Sequence, residues 1–325
     1  MAIRRNVILF VLVFVLFFVL AGCSSQSSSN QAESIPSDPQ SLTVTVDGVA
    51  RKYLLHVPDG PMDGAPLPVV FIFHGGGGTA QGTIRETGWI AKADEYSFLA
   101  VFPEGMPPFP ALPSGFSTNP QRWNDGSGRF NLEVDDITFV NKILEDLEAD
   151  FSIDPSRIFA TGFSNGASMA FRVGVELSDT FAAIAPVAGA LWLEGFNLDE
   201  PVSLIYITGT EDTLNPMDGG QPKLVSGEII NEQEKPPVQE HMDKWSAALG
   251  CDQPPVGLET IAGIVGETYA NCLEPADVVY YRIEGMGHTW PGGTSLLPES
   301  MVGKTSDLMD GTQTIWEFFQ DHPKL

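Results

Sequence analysis

The chain alternates between short apolar runs and stretches with helical periodicity. Alternating apolar and polar positions over 42–46 and 50–57 flank the turn pair Asp47-Gly48, which predicts an antiparallel hairpin. Continuous apolar runs typical of buried strands follow at 68–73, 98–102, 157–161, 181–187, 202–208 and 278–283. Helical patterns fall between them at 84–96, 134–151, 167–173, 238–249 and 308–319. Strands that alternate with helices predict a mostly parallel, doubly wound α/β sheet behind the hairpin.

Two long segments carry no such pattern. Residues 104–131 are dense in Pro, Gly and aromatic residues, which predicts an irregular functional loop rather than a disordered one. Residues 252–271 are rich in Pro and Gly and are predicted as a loop. Asp135 and Asp136, near the start of the long helix, are expected to cap it rather than to take part in chemistry.

The N-terminal segment has the composition of an export signal. Two arginines precede an unbroken apolar stretch over 7–20, and Leu20-Ala21-Gly22-Cys23 resembles the lipobox of bacterial lipoproteins, in which the cysteine is lipidated. We therefore predict a lipoprotein signal peptide at 1–22, lipidation of Cys23, and a disordered Ser-, Gln- and Pro-rich tether at 23–40. A cleaved secretory signal and an uncleaved anchor helix are the alternatives. The mature protein would be membrane-anchored or extracellular, with one catalytic domain over 41–325.

Charge and cysteine content narrow the possible partners. The formal net charge is −25, from 42 acidic and 17 basic residues, which argues against a nucleic-acid partner because phosphates need a basic surface. With Cys23 assigned to lipid, Cys251 and Cys272 remain as a pair and are predicted to form a disulfide in an oxidising compartment. Two unrelated buried thiols are the alternative. Metal binding is not expected, because no His or Cys neighbours supply ligands at a usable spacing.

The stretch Gly162-Phe163-Ser164-Asn165-Gly166 carries the clearest chemical signal. A G-x-S-x-G motif between a predicted strand and a predicted helix is the nucleophile elbow of the α/β-hydrolase fold. The glycines are needed because the serine takes a strained backbone conformation, and a Cβ on either side would clash with the packed strand and helix. Ser164 is therefore the candidate nucleophile.

A serine hydroxyl needs an adjacent base, which an acid orients. In this fold the chain order is Ser, then Asp or Glu, then His, so the two histidines before the serine are excluded. His288 lies in a glycine-rich loop after a predicted strand, whereas His241 falls in a helix and His322 in the C-terminal tail. His288 is the predicted base. For the acid, a turn that follows another strand offers Glu211 and Asp212, and Asp212 is favoured because Asp is the commoner acid of such triads.

The tetrahedral oxyanion of acyl transfer needs backbone N–H donors. Asn165, the residue after the nucleophile, is expected to supply one. The second is expected from the glycine run that follows His74, with Gly76 first and Gly77 next. The competing interpretation, a phosphate-binding loop, is weak because no Gly-Lys-Ser/Thr follows the run.

Four motifs together resemble one family. They are His74-Gly-Gly-Gly-Gly, Gly-Phe-Ser164-Asn-Gly-Ala, Gly-Thr-Glu-Asp212-Thr-Leu-Asn-Pro and Gly-His288-Thr-Trp-Pro-Gly-Gly. Over the segment from Val44 to Phe319 the chain resembles the polyhydroxybutyrate depolymerases and feruloyl esterases. The resemblance implies a secreted esterase with a Ser-His-Asp triad and no metal or organic cofactor. It also implies substrates among polyester oligomers or feruloyl and acetyl esters of plant polysaccharides.

The sequence thus predicts a carboxylic ester hydrolase that uses Ser164, His288 and Asp212. Trp123 and Trp290 are candidates for an aromatic wall around the acyl or aryl group, with local core as the alternative. A serine peptidase is a second enzymatic possibility, since the same triad cleaves amides. A non-catalytic surface lipoprotein of the same fold, used for binding, is the alternative from another class.

Overall fold

The computed structural model describes residues 38–59, 64–231, 233–258 and 261–325. These residues fall within one unit by their internal contacts. The predicted signal peptide, the lipidation site Cys23 and all but the last three residues of the tether lie outside the described residues, and they stay predictions. The first strand begins at Gln40, the last residue assigned to the tether. Within the described ranges, no helix is long and apolar enough to span a membrane.

Ten strands form one sheet in the order β1-β2-β4-β3-β5-β6-β7-β10-β9-β8. The strands are β1 (Gln40–Val46), β2 (Val49–His56), β3 (Leu67–Phe73), β4 (Leu99–Pro103), β5 (Ile153–Phe163), β6 (Ala183–Val187), β7 (Ser203–Gly209), β8 (Val256–Gly257), β9 (Ile264–Tyr269) and β10 (Val278–Ile283). Six neighbouring strands in the middle of the sheet, in the order β4-β3-β5-β6-β7-β10, run parallel. Antiparallel pairs extend the sheet at both edges. The predicted mostly parallel sheet with an N-terminal hairpin is confirmed.

Helices cover both faces of the sheet. They are α1 (Ala80–Thr87), α2 (Trp89–Tyr96), α3 (Asp136–Asp150), α4 (Asn165–Glu176), α5 (Val238–Ala248), α6 (Glu299–Val302) and α7 (Gly311–Asp321). One apolar core packs α3, α4 and α5 against the sheet, and a second packs α1, α2 and α7. The apolar runs bury both faces, as parallel strands between two helical layers require. The carboxyl ends of β5, β7 and β10 therefore lie near one another at one edge of the sheet.

Two sequence predictions are wrong in detail. The pattern over 84–96 forms two helices, because Gly88 takes a left-handed backbone (φ 72°) that ends α1 and begins α2. The segment 252–271 is not a loop throughout, since its described part contains β8 and β9. The predicted disulfide between Cys251 and Cys272 is confirmed, and it joins the residues after α5 to those after β9.

A buried ion pair fixes the start of α3. Asp135 caps the helix by accepting a hydrogen bond from the Thr138 N–H. Asp136 has a different role from the expected capping, because its side chain is fully buried and lies 2.7 Å from the Arg51 guanidinium of β2. Its other oxygen accepts a hydrogen bond from the Asn124 N–H, 2.8 Å away. The pair thus ties the long loop to the sheet.

Replacing Asp136 with Ala is expected to lower the free energy of unfolding by about 3–5 kcal/mol, because Arg51 would be left buried without its partner. Denaturant titration of wild type and variant measures the difference. Glu145→Ala on the same helix is the matched control, since its ion pair with Lys142 is exposed and such pairs contribute little. Equal, small effects of the two substitutions would contradict the structural role of the buried pair.

His241 makes stability depend on pH. Its side chain is fully buried on α5 beside Phe171 and Tyr206, and neither ring nitrogen has a hydrogen-bond partner within the described ranges. Burial lowers the pKa of His241 to about 3. Below about pH 6.5 the unfolded chain takes up a proton that the folded chain does not, so stability falls as the pH falls towards that lowered value.

A His241→Leu variant removes this dependence. Wild type loses about 1.4 kcal/mol of unfolding free energy per pH unit below pH 6.5 because of His241, whereas the variant does not. The unfolding free energy of the variant minus that of wild type is therefore expected to be about 2 kcal/mol larger at pH 5 than at pH 7.5. Urea unfolding of both proteins at the two pH values measures the change. If the difference in unfolding free energy between the two proteins were the same at both pH values, the lowered pKa of His241 would be contradicted.

Candidate active site

Ser164 lies at a sharp turn between β5 and α4. Its backbone has φ 57° and ψ −118°, a conformation that side-chain-bearing residues rarely adopt. A Cβ on Gly162 would lie 2.4 Å from the Gly166 carbonyl oxygen, and one on Gly166 would lie 2.2 Å from that of Phe73. The strand and the helix are therefore packed too closely for any other residue at either position. The turn holds the serine at the carboxyl end of the sheet.

Two other strand ends carry His288, which contacts Ser164, and Asp212, which contacts His288. The loop after β10 carries His288, and the turn after β7 carries Asp212. The Ser164 hydroxyl donates to His288 Nε2 at 2.9 Å, and His288 Nδ1 donates to Asp212 Oδ2 at 2.8 Å. This tautomer follows from the carboxylate, which can only accept. The arrangement has the order of contacts that a serine nucleophile, its base and an orienting acid require.

The structure brings Asp212, and not Glu211, to the histidine. Asp212 is buried, whereas Glu211 is exposed. Asp212 Oδ1 accepts hydrogen bonds from the N–H groups of Leu214 (2.9 Å) and Asn215 (2.7 Å), which fix the carboxylate. The other oxygen is left for His288.

A second layer of polar residues lies behind Asp212, and sequence reasoning missed it. The Asn215 side chain donates to the Tyr206 hydroxyl at 2.9 Å, and that hydroxyl donates to the Gly189 carbonyl at 2.7 Å. Lys235 Nζ donates to Asn215 Oδ1 at 2.9 Å. Burial lowers the pKa of Lys235 to about 8. No short motif links these residues, because they belong to separate segments that only the fold brings together.

The glycine run after His74 lies against the serine turn. A Cβ on Gly76 would be 3.6 Å from the Asn165 Cβ. The Gly77 N–H donates to the Gln121 carbonyl at 2.7 Å, so it is already occupied. In the described part of the chain, the N–H groups of Gly76 and Asn165 have no hydrogen-bond partner. This pattern favours Gly76 over Gly77 as an oxyanion donor.

His74 supports that run without reaching the serine. Its side chain is fully buried, and Nδ1 donates to the Gly75 carbonyl at 2.7 Å while Nε2 accepts from the Gly105 N–H at 2.9 Å. Burial lowers the pKa of His74 to about 4, so the ring is neutral at physiological pH. The ring therefore joins the glycine run to the start of the long loop.

The two candidate tryptophans have different surroundings. Trp123 is fully buried and packs edge-on against Phe73, with ring centroids 5.2 Å apart. Its backbone N–H donates to Asn165 Oδ1 at 2.8 Å and its indole N–H donates to the His74 carbonyl at 2.9 Å, so both donors already have partners within the protein. The prediction that Trp123 forms part of an aromatic wall around the acyl or aryl group is corrected to its alternative, local core. Trp290 is also buried, but it lies at a cleft beside His288.

That cleft combines apolar walls with polar groups. Its lining residues are Thr83, Glu86, Thr87, Phe163, His288, Thr289, Trp290, Ser295, Leu297 and Val302. The Phe163 ring packs on the His288 imidazole with centroids 4.7 Å apart. Burial raises the pKa of the Glu86 carboxyl. Neither this cleft nor any other part of the described ranges contains a group of three or more His, Cys, Asp or Glu residues that could hold a metal ion.

The chain is similar in sequence to known esterases. The profile of the phospholipase/carboxylesterase family matches residues 62–218. NocK of Nocardia uniformis subsp. tsuyamanensis, which carries the name of an esterase, is 30% identical over 290 residues, or 85% of this chain and 80% of its own. Poly(3-hydroxyalkanoate) depolymerase C of Paucimonas lemoignei is 26% identical over 257 residues, or 73% of this chain and 58% of its own. Feruloyl esterase C of Emericella nidulans is 23% identical over 274 residues, or 83% of each chain.

The fold is shared with a solved esterase. Acetyl xylan esterase from Aspergillus awamori superposes with a TM-score of 0.59 at 15% identity, covering 88% of this chain and 100% of that one. At this identity the likeness concerns the fold alone.

Proposed function

The chain belongs to the phospholipase/carboxylesterase family of α/β-hydrolases and is an esterase, and we propose that it works through Ser164, His288 and Asp212. The observation that carries this proposal is the unbroken contact chain from the Ser164 hydroxyl through His288 to Asp212, at 2.9 and 2.8 Å. The esterase relatives and the presence of all three groups argue against the non-catalytic alternative.

In the proposed reaction, His288 removes the hydroxyl proton as Ser164 attacks the ester carbonyl carbon. The C=O bond opens to a tetrahedral oxyanion, which the N–H groups of Asn165 and Gly76 stabilise. His288 then returns the proton to the departing alcohol, and an acyl-enzyme remains. Water repeats the sequence on the acyl-enzyme and releases the acid. Asp212 keeps the imidazole in the tautomer that can accept the proton and stabilises the cation that forms.

We propose two substrate classes, polyhydroxyalkanoate oligomers and feruloyl or acetyl esters of plant polysaccharides. The motif resemblance supports both, and the depolymerase and feruloyl esterase relatives support one each. We further propose that the protein is exported and anchored to a membrane through Cys23. The Leu20-Ala21-Gly22-Cys23 sequence supports that location.

A panel of substrates tests the proposal. It contains 4-nitrophenyl acetate and butyrate, hydroxybutyrate oligomers, methyl ferulate, acetylated xylan and a chromogenic peptide amide. We expect ester hydrolysis that Ser164→Ala abolishes and that the matched control Ser226→Ala, at an exposed position, leaves unchanged. Cleavage of the amide in preference to every ester would favour the peptidase alternative. Ester hydrolysis by Ser164→Ala at the wild-type rate would refute the assigned nucleophile.

A further inference from the structure

Three cationic side chains gather beside the serine turn. Arg129 stacks on Trp192, with its guanidinium carbon 4.4 Å from the ring centroid, and Arg122 stacks on Phe130 at 4.1 Å. Lys235 lies on a neighbouring segment, where the charges of Asp212, Arg129 and Asp125 act on it. We call these three residues, Arg122, Arg129 and Lys235, the cation cluster. It occurs in a chain whose formal net charge is −25.

The cation cluster is only partly neutralised by its carboxylate neighbours. In the described ranges, the one ion pair that its members form joins Arg129 to Asp125, at 3.6 Å. Both oxygens of that buried carboxylate already accept other hydrogen bonds, from the Ser127 N–H at 3.1 Å and from the Asn165 side chain at 2.7 Å. Arg129 Nε is buried without a hydrogen-bond partner. Burial lowers the pKa of both arginines, as expected where cations lose water without gaining enough negative charge.

Both ends of the cluster touch groups that hold residues of the reaction centre. Arg129 pairs with Asp125, which binds the side chain of Asn165, the residue after the nucleophile. Lys235 binds Asn215, whose N–H holds Asp212. A charged group of a substrate held there would lie one side chain away from Asn165 on one side and from Asp212 on the other. Incompletely paired, partly buried cations are costly to maintain, and a bound anion would offset that cost.

We propose that the cation cluster binds a free carboxylate of the ester substrate and so selects acidic esters. This inference rests on the proposed function, because it assigns a subsite to the same reaction centre. A guanidinium can grip a carboxylate through two parallel hydrogen bonds, and Lys235 adds a point charge. Linear hydroxyalkanoate oligomers end in a carboxylate, whereas acetyl and feruloyl groups on neutral polysaccharides carry none near the ester. The subsite therefore favours oligomers over polysaccharide esters.

Two matched substrate pairs test the subsite on both sides of the ester. The first is the mono-4-nitrophenyl ester of glutaric acid against the same ester with its free acid capped as a primary amide. The second is the linear 3-hydroxybutyrate dimer against its primary amide. We expect the acid to have a kcat/KM about tenfold or more above the amide in at least one pair, and the preference to shrink as salt is added.

Variants locate the preference. In Arg129→Gln and in Lys235→Met the acid-to-amide ratio of kcat/KM is expected to fall towards one, while Arg129→Lys keeps part of it. Arg157→Gln, which removes a partly exposed arginine from the first half of β5, serves as the matched control and keeps the wild-type ratio. Thermal melting confirms that each variant is folded.

The outcomes separate this inference from the function on which it rests. Hydrolysis of acids and amides at equal kcat/KM in both pairs would overturn the subsite and leave the esterase mechanism intact. A preference that survives in both Arg129→Gln and Lys235→Met would overturn the assignment to these residues. If wild type hydrolyses neither pair and no 4-nitrophenyl ester of the panel, the proposed function falls together with the subsite.

Discussion

An Asp212→Asn variant is expected to hydrolyse 4-nitrophenyl esters with a kcat lowered by about 10⁴-fold. The amide can present its NH₂ to His288 Nδ1, which would place the ring proton on Nε2 and leave no acceptor for the Ser164 hydroxyl. The negative charge that stabilises the imidazolium would also be absent. Because the loss lies in the transition state, kcat and kcat/KM should fall together. Steady-state kinetics of the two proteins measure both constants.

The neighbouring carboxylate supplies the control. Glu211 is exposed and lies one residue away, so Glu211→Gln should keep kcat within about twofold of wild type, as surface substitutions usually do. If Glu211→Gln lost activity and Asp212→Asn kept it, the acid would be misassigned. The 2.8 Å contact to His288 would then have no catalytic meaning.

The second large effect concerns folding. Gly166→Ala is expected to lower the free energy of unfolding by more than about 4 kcal/mol, because its Cβ would lie 2.2 Å from the Phe73 carbonyl oxygen and 2.5 Å from that of His74. Neither oxygen belongs to a flexible side chain, so β3 and α4 would have to move apart. Circular dichroism during denaturant unfolding measures the loss, and the yield of soluble protein should fall with it.

Gly257→Ala is the matched control for that substitution. Its Cβ would meet nothing within 4 Å, and its backbone is not in the left-handed region. We expect a change of less than about 0.5 kcal/mol there. Similar stabilities of Gly166→Ala and Gly257→Ala would mean that the close approach of strand and helix does not explain the glycine.

Local signals in the sequence predict most of the fold. The apolar runs are continuous because parallel strands are buried on both faces, so the sequence predicts the central strands. The chain order Ser, Asp, His is predictable because the serine motif itself indicates the fold, and the fold fixes that order. The helix break at Gly88 is not predictable in the same way, because many helices tolerate a single glycine and only the left-handed backbone of Gly88 shows the break. Strand β9 is not predicted because it lies among glycines and prolines, one strand in from the sheet edge, where the apolar pattern is weak.

Contacts between distant segments could not be predicted. Arg51 and Asp136 are 85 positions apart, and no pattern in either segment indicates that they pair. The same holds for Lys235 and Asn215 behind the proposed acid. Trp123 had two equally good interpretations, because an aromatic residue in a long loop can face solvent or core. Only packing against Phe73 decides for the core.

Covalent labelling shows directly whether Ser164 is the nucleophile. Intact protein is treated with a fluorophosphonate probe, digested and analysed by mass spectrometry, with Ser164→Ala and Ser226→Ala in parallel. We expect one stoichiometric adduct on Ser164 in wild type and in Ser226→Ala, loss of ester hydrolysis in step with labelling, and no adduct in Ser164→Ala. An adduct on another serine instead of Ser164, or full ester hydrolysis by protein whose Ser164 is blocked by the probe, would contradict the assignment of Ser164 as the nucleophile.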